Sequence, residues 1–352
     1  MKVAILSDSP NVSSGYGNLA RTLGHALKGE GFDVRFISFQ HSGAPVVFEG
    51  FEIYEGSNTQ SIYMASEDAD AVIHIRDAFY YSPKWFAHAY QLKNVIKKPV
   101  YLWTPVQAES LPNEFLQACM YDSDMCVAMT EWGKNVLMFS GVPADKIFAI
   151  KPAFLPAESS NEITFEKKTV GSVGVIDQYR KNYPALIAGF SKFWLRHRDW
   201  DLYLHVPSIS GSFDLAHFAK IYGIRPIYPQ YMSRTWGWKP EDMASMYSNL
   251  EVYASASIAE GFNMPLAEAA YYTGRIVASD IPNHREVLQG FSSVVWIPTK
   301  RIYPTAWSFE YVVDPEDVAT ALEKSLDLKK ERKMVVSVKD LASQWKHLLE
   351  KS

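Results

Sequence analysis

The chain has 352 residues, of which 35 are Lys or Arg and 39 are Asp or Glu, for a formal net charge of −4. That length suits two domains at about 100–200 residues each, and a 47% hydrophobic share is enough for full cores. The charge balance does not indicate a dedicated nucleic-acid binder, although a local basic groove is compatible with it. No apolar run reaches the ~18–20 residues of a membrane-spanning helix, so any membrane contact is expected to be peripheral.

The first half alternates strands and helices. Val3–Leu6 is an apolar strand entered directly from the N-terminus, without a signal-peptide pattern, and a cytoplasmic location is expected. A turn holding Gly15 and Gly17 follows, then Leu19, Leu23 and Leu27 at helical spacing. Asp33–Phe39 is a strand, and 41–68 is irregular with room for short strands. Asp70–Ile75, Pro99–Trp103, Met125–Met129 and Lys146–Ile150 are strands; Pro83–Asn94, Asn113–Tyr121 and Glu131–Ser140 are helices. Cys119 and Cys126 sit in apolar surroundings with too few ligands nearby for zinc, which reads as buried thiols in a reducing compartment.

Residues 152–168 break the rhythm with Pro, Ser and Glu and read as a linker. A second series then begins. Thr169–Val175, Asp201–Val206, Arg225–Tyr228, Leu250–Ser255, Arg275–Ala278 and Val294–Ile297 are strands. Tyr183–Arg196, Phe213–Tyr222, Glu241–Ser248, Pro265–Thr273 and Pro315–Leu326 are helices, and Val338–Leu349 is a terminal helix with Leu341, Trp345 and Leu348 on one face. Strands alternating with helices imply parallel βαβ units. The expected division is 1–155, 156–335 and a terminal helix in 336–352.

The most informative stretch is EGFNMPLAEAA, Glu260 to Ala270. A strand, a small-residue turn and a helix opening at Pro265 place backbone N–H groups and a positive dipole end toward an anion. Glu260 before that helix and Glu268 inside it can grip hydroxyls on either side of the anion, the layout of a nucleotide sugar. Without such a ligand the two would be solvated loop and helix residues. Upstream, Arg180 and Lys181 lie in the loop between a strand and a helix, where two cations can neutralise a diphosphate.

The spacing of Glu260 and Glu268, with Gly261–Phe262 after the first and Pro265 before the second, resembles the signature of retaining GT-B glycosyltransferases, above all family 4. The resemblance covers nearly the whole chain. It implies an α/β fold of GT-B type, two Rossmann-like doubly wound domains facing a cleft, with the donor mainly on the second. It implies that Glu260 lies by the transferred sugar and that Glu268 binds the donor ribose. Lys181 with Arg180 would stabilise the departing diphosphate, helped by backbone N–H groups of Gly261, Phe262, Asn263 and Met264. In the family the two cations are often several residues apart; here they are adjacent. The terminal helix would cross back to the first domain as a tie whose removal leaves both halves folded.

The same resemblance draws in weaker matches. Gly15, Tyr16 and Gly17 correspond to the family's Gly-rich turn facing the diphosphate and acceptor, although the third Gly of a dinucleotide fingerprint is absent. Gln107 stands where relatives carry an acid or His near the acceptor. His74, Arg76 and Asp77, at a strand end, are acceptor-side candidates. Asp280 in SDIPNHREV matches an element that supports the nucleotide pocket, but helix capping is the simpler reading. No His, Cys or Asp cluster has metal-ligand spacing, so no metal and no cofactor beyond the nucleotide-sugar donor is expected; the acceptor (glycan, lipid, protein or modified nucleic-acid base) stays open. Two alternatives remain: a non-catalytic nucleotide-sugar or glycan-binding protein on the same fold, and a Rossmann oxidoreductase, which the broken glycine fingerprint disfavours.

Overall fold

The computed structural model describes residues 1–78, 92–109, 111–176, 179–211, 214–230, 237–305 and 308–351. The chain divides into two compact units, Met1–Leu155 with Val336–Ser352, and Pro156–Val335.

In the first unit, β1 (Lys2–Ser7), α1 (Gly15–Gly29) and β2 (Asp33–Ser38) form the opening βαβ. β1 pairs in parallel with β2 on one side and β5 (Ala71–Ile75) on the other. β6 (Val100–Thr104), β7 (Met125–Ala128) and β8 (Ile147–Ala149) extend the sheet in parallel. β5 and β6 are buried at every position, as expected of parallel strands covered on both faces. Between them lies α3 (Leu92–Val95); α4 (Asn113–Tyr121) and α5 (Glu131–Phe139) link the next strands. The helix expected over 83–94 falls, up to residue 91, outside the described residues.

The stretch expected to be irregular is more ordered than its composition suggests. β3 (Val46–Phe48) pairs antiparallel with β4 (Phe51–Glu55) at the sheet edge, and β4 pairs in parallel with β2. α2 (Thr59–Ser66) follows, capped by Asn58, whose Oδ1 accepts from Ser61 N at 2.9 Å. These elements are short and half exposed, so periodicity over a longer window does not reveal them. Cys119 and Cys126 are buried free thiols.

The second unit has a parallel five-stranded sheet, β10-β9-β11-β12-β13. Its strands are β9 (Lys168–Val173), β10 (Trp200–His205), β11 (Val252–Ser255), β12 (Ile276–Ser279) and β13 (Val294–Ile297). Connecting them are α6 (Tyr183–Trp194), α7 (Leu215–Ile221), α8 (Pro240–Asn249), α9 (Met264–Tyr272) and the short α10 (Pro282–Val287). A hairpin of β14 (Thr299–Thr305) and β15 (Ser308–Val313) precedes α11 (Pro315–Ser325). α6 and α11 pack closely because residue 189 is glycine: a Cβ there would stand 2.5 Å from Val318 Cβ. Residues after Pro156 are not a loose connector. Ala157 N donates to Tyr272 Oη at 2.8 Å and Ile163 N to Ser245 Oγ at 3.1 Å.

One expected strand is corrected. Arg225–Tyr228 is not a strand; Ile227 alone bridges to Tyr203 on β10, because Pro226 and Pro229 lack the donors a ladder needs. The hairpin β14–β15 and α10 were not expected, lacking an Asn-Gly or Asp-Gly turn and a long periodic run respectively.

The terminal helix α12 (Val338–Lys351) belongs to the first unit's core. Trp345 is fully buried, edge-on to Trp103 at 5.3 Å and to Tyr101 at 6.2 Å between ring centroids. Lys346 Nζ pairs with Glu30 at the end of α1, 2.9 Å away. A helix that closes a core with a buried Trp is packed as part of that unit, so its removal is expected to disturb that core and not merely to loosen a tie. Among the described residues no helix is long and apolar enough to cross a membrane.

Candidate active site

β9, β11 and β12 are neighbours and parallel, so the loops leaving their C-terminal ends meet at one edge of the sheet. That edge is where open α/β sheets hold ligands. The loop after β9 ends in a 3₁₀ turn, Tyr179–Lys181. It is pinned to the loop after β11 by Ile258 N, which donates to Arg180 O at 2.8 Å. Asn283, in the first turn of α10 just after β12, donates through Nδ2 to Gly261 O at 2.9 Å.

These ties bring Arg180, Lys181 and Glu260 together. Arg180 Nη1 stands 2.5 Å from Glu260 Oε2, and Lys181 Nζ stands 2.7 Å from Oε1. The side chains of Glu260 and Lys181 are 5% and 8% exposed, and that of Arg180 24%. Glu260 is therefore an interior carboxylate and not a solvated loop residue. Burial opposes its ionisation, but the charges of Arg180 and Lys181 outweigh it and hold the carboxyl at about 2. Burial lowers the pKa of Lys181 in turn, and the Glu260 carboxylate works against that.

Asn263 occupies the N-cap position of α9 with φ 78°, in the left-handed region that Asn tolerates better than most residues. Its side chain does not cap the helix; its Oδ1 accepts from Lys181 Nζ at 3.3 Å. Pro265 is the second residue of α9, one place inside the position expected. Gly261 and Phe262 are buried, and Met264 is half-buried. Glu268, half-buried on α9, accepts from Tyr247 Oη at 2.8 Å. Burial raises its pKa, with the Tyr247 hydroxyl and Lys181 opposing. Tyr247, Asn283 and His284 were not singled out by the sequence, although Asn283 and His284 lie within SDIPNHREV beside Asp280; the adjacency of β11 and β12 and the packing of α8 on α9 bring them here.

The candidates in the first unit gather at the ends of β1, β5 and β6. Arg76 Nη1 pairs with Asp8 Oδ1 at 2.6 Å and lies 4.9 Å above the Phe39 ring. Ser14 Oγ donates to Asp8 Oδ2 at 2.7 Å and accepts from Gly17 N at 2.9 Å, capping α1. Gly15 and Gly17 thus lie in the first turn of α1, not in a loop before it. Residue 17 must be glycine for the preceding loop to fold over the helix, since a Cβ would sit 2.6 Å from both Ser9 O and Val12 O. Tyr16 is half-buried beside them. Gln107 donates through Nε2 to Asp77 Oδ2 at 3.1 Å. His74 is 1% exposed within the sheet, and burial holds its imidazole at about 3. Asp8, at the end of β1, was not singled out by sequence, yet it joins Ser14 to Arg76. Asp280 does not cap α10, whose N-cap is Ile281; it forms a two-pronged pair with Arg285 at 2.6 and 2.8 Å.

The fold occurs in solved structures across the full length of the chain. Sucrose-phosphate synthase from Thermosynechococcus elongatus matches with a TM-score of 0.69 at 13% identity, covering 100% of this chain and 97% of that one. HepE from Anabaena, in complex with UDP-glucose, matches with a TM-score of 0.66 at 13% identity over 98% and 95%. Trehalose-6-phosphate synthase from E. coli, bound with UDP-2-fluoro glucose, matches with a TM-score of 0.66 at 13% identity over 100% and 99%. These likenesses show the fold, which is of GT-B type. No protein-family model matches the sequence, and no curated protein does.

Proposed function

We propose that the protein is a retaining glycosyltransferase that moves a sugar from a nucleoside diphosphate sugar to an acceptor without a metal ion. The observation that carries this reading is the buried Glu260 carboxylate held between Arg180 and Lys181, eight residues before Glu268 and at the ligand edge of a GT-B second unit. Arg180 and Lys181 meet the donor diphosphate and take up the charge that grows as it leaves, with Lys181 closest to the reacting bond. Gly261, Phe262, Asn263 and Met264 add backbone donors at the opening of α9. Glu260 orients the transferred sugar and Glu268 binds the ribose. The bond from the anomeric carbon to the phosphate oxygen breaks, a bond to the acceptor oxygen forms on the same face, and the acceptor proton passes to the departing phosphate. In the first unit, Gly15 and Gly17 are the donor-binding glycines of the turn, and Tyr16, Arg76, Asp77 and Gln107 serve the acceptor side. His74, sealed in the sheet, supports that surface from behind.

Thermal shift across UDP-, GDP- and ADP-sugars, followed by donor hydrolysis, tests the proposal. Stabilisation by one donor series and its slow hydrolysis are expected. Stabilisation with no turnover in any acceptor pool would favour a non-catalytic nucleotide-sugar-binding protein.

A further inference from the structure

Behind Lys181 lies a chain of buried polar groups that the proposed chemistry does not use. Asn263 Nδ2 faces His284 Nε2 at 2.9 Å and donates to Ser255 Oγ at 3.2 Å. His284 Nδ1 lies 3.0 Å from Ser279 O and 3.2 Å from Ser279 Oγ. His284 and Ser279 are fully enclosed, and Asn263 and Ser255 are 5% and 4% exposed.

The proton positions follow from the partners. A backbone carbonyl only accepts, so the nitrogen facing Ser279 O must carry hydrogen. Ser279 Oγ spends its own proton on Ser257 O and is also an acceptor toward Nδ1. The imidazole is therefore neutral with its hydrogen on Nδ1, and Nε2 is a bare acceptor. Burial keeps it neutral at ordinary pH, holding it at about 4. A bare Nε2 demands the NH₂ end of Asn263, and that choice turns Oδ1 toward Lys181 Nζ. With the amide reversed, an NH₂ group would face the ammonium and a carbonyl oxygen would face Nε2.

We propose that His284 is a positioning residue for Lys181, acting through the orientation of the Asn263 amide. The backbone carbonyl of Ser279 sets the tautomer, the tautomer sets the amide, and the amide gives the ammonium a second anchor beside Glu260. This rests on Lys181 as the counter-charge of the departing diphosphate and adds a residue that touches neither donor nor acceptor. Its effect falls on the step in which that charge grows, not on ground-state binding.

Two measurements test it. ¹⁵N NMR of His284 in the unliganded protein should show Nδ1 protonated near neutral pH; hydrogen on Nε2 would overturn the relay whether or not any donor is turned over. Kinetics of donor hydrolysis then separate positioning from simple packing. His284→Leu, which removes the acceptor, should lower kcat by about tenfold with donor KM changed less than about threefold. His284→Gln, whose side-chain oxygen reaches the Nε2 position, should recover most of that loss. If Lys181→Ala is defective while His284→Leu is not, or if Gln gives no recovery in a folded variant, the relay falls and the role of Lys181 stands. If Lys181→Ala itself keeps full kcat, the reading of Lys181 falls, and the relay with it.

Discussion

Lys181 Nζ lies 2.7 Å from Oε1 of Glu260, with both side chains more than nine-tenths buried. Two opposite charges taken out of water together hold each other ionised, and neither has a solvent substitute. Lys181→Ala leaves Glu260 with Arg180 alone. We expect the second unit to lose about 3 kcal/mol, the lower end for breaking a buried pair. Turnover should fall further than donor affinity, because the missing charge matters most as the diphosphate leaves. Denaturant unfolding and steady-state kinetics check both halves; equal losses in KM and kcat/KM with kcat unchanged would contradict the assignment.

Glu268 and Tyr247 form the second pair of the site. Glu268→Ala should weaken UDP binding by about 1.5–3 kcal/mol, the range for a charge-assisted hydrogen bond. Tyr247→Phe removes the hydroxyl that orients the carboxylate but leaves the carboxylate, so a smaller loss is expected. Calorimetric titration with UDP reads both; unchanged affinity in Glu268→Ala would remove the ribose role.

If Arg180 and Lys181 supply the charge that a divalent ion supplies elsewhere, donor turnover should persist in EDTA. Magnesium or manganese should add nothing. Abolition by EDTA with rescue by either ion would place the leaving-group chemistry on a metal.

Acid should weaken the fold through its interior histidines. Burial holds His74 at about 3 and His284 at about 4, against 6.5 for an unfolded His. The unfolded chain therefore takes up protons that the folded chain refuses. The stability these residues contribute is complete above 6.5 and drains as pH falls toward about 4, at about 1.4 kcal/mol per His for each pH unit once below 6.5. Glu260, held at about 2 against 4.5, adds a second loss below 4.5. Denaturant midpoints measured from neutral to about pH 4.5 should fall, and less steeply in His74→Gln and His284→Gln. A flat profile would contradict the burial of both rings.

Trp345 is fully buried against Trp103 and Tyr101. Trp345→Ala should cost the first unit about 3–5 kcal/mol, the usual cost of emptying a large aromatic site. Truncation before Val338 should expose the same core and lower the unfolding temperature of that unit. A truncated chain that melts as the full one does would show the helix to be peripheral after all.

Much of this architecture is local and so lies open in the linear order of residues. Strand runs such as Val100–Thr104, the leucine stripe of α1 and the alternation of strand with helix follow from hydrophobic period and chain direction. The stretch Glu260 to Ala270 shows its strand, turn and helix opening for the same reason. What the linear order does not hold is adjacency. Arg180 meets Glu260 because β9 and β11 are neighbours, and Asn283 and His284 reach the same turn because β12 lies beside β11. Asp8 becomes a partner of Arg76 only once β1 and β5 pair. Burial is likewise a tertiary property: it makes Glu260 an enclosed counter-ion, His74 a sheet-interior ring and His284 a neutral acceptor, while residue type alone allows each to be a solvated polar group.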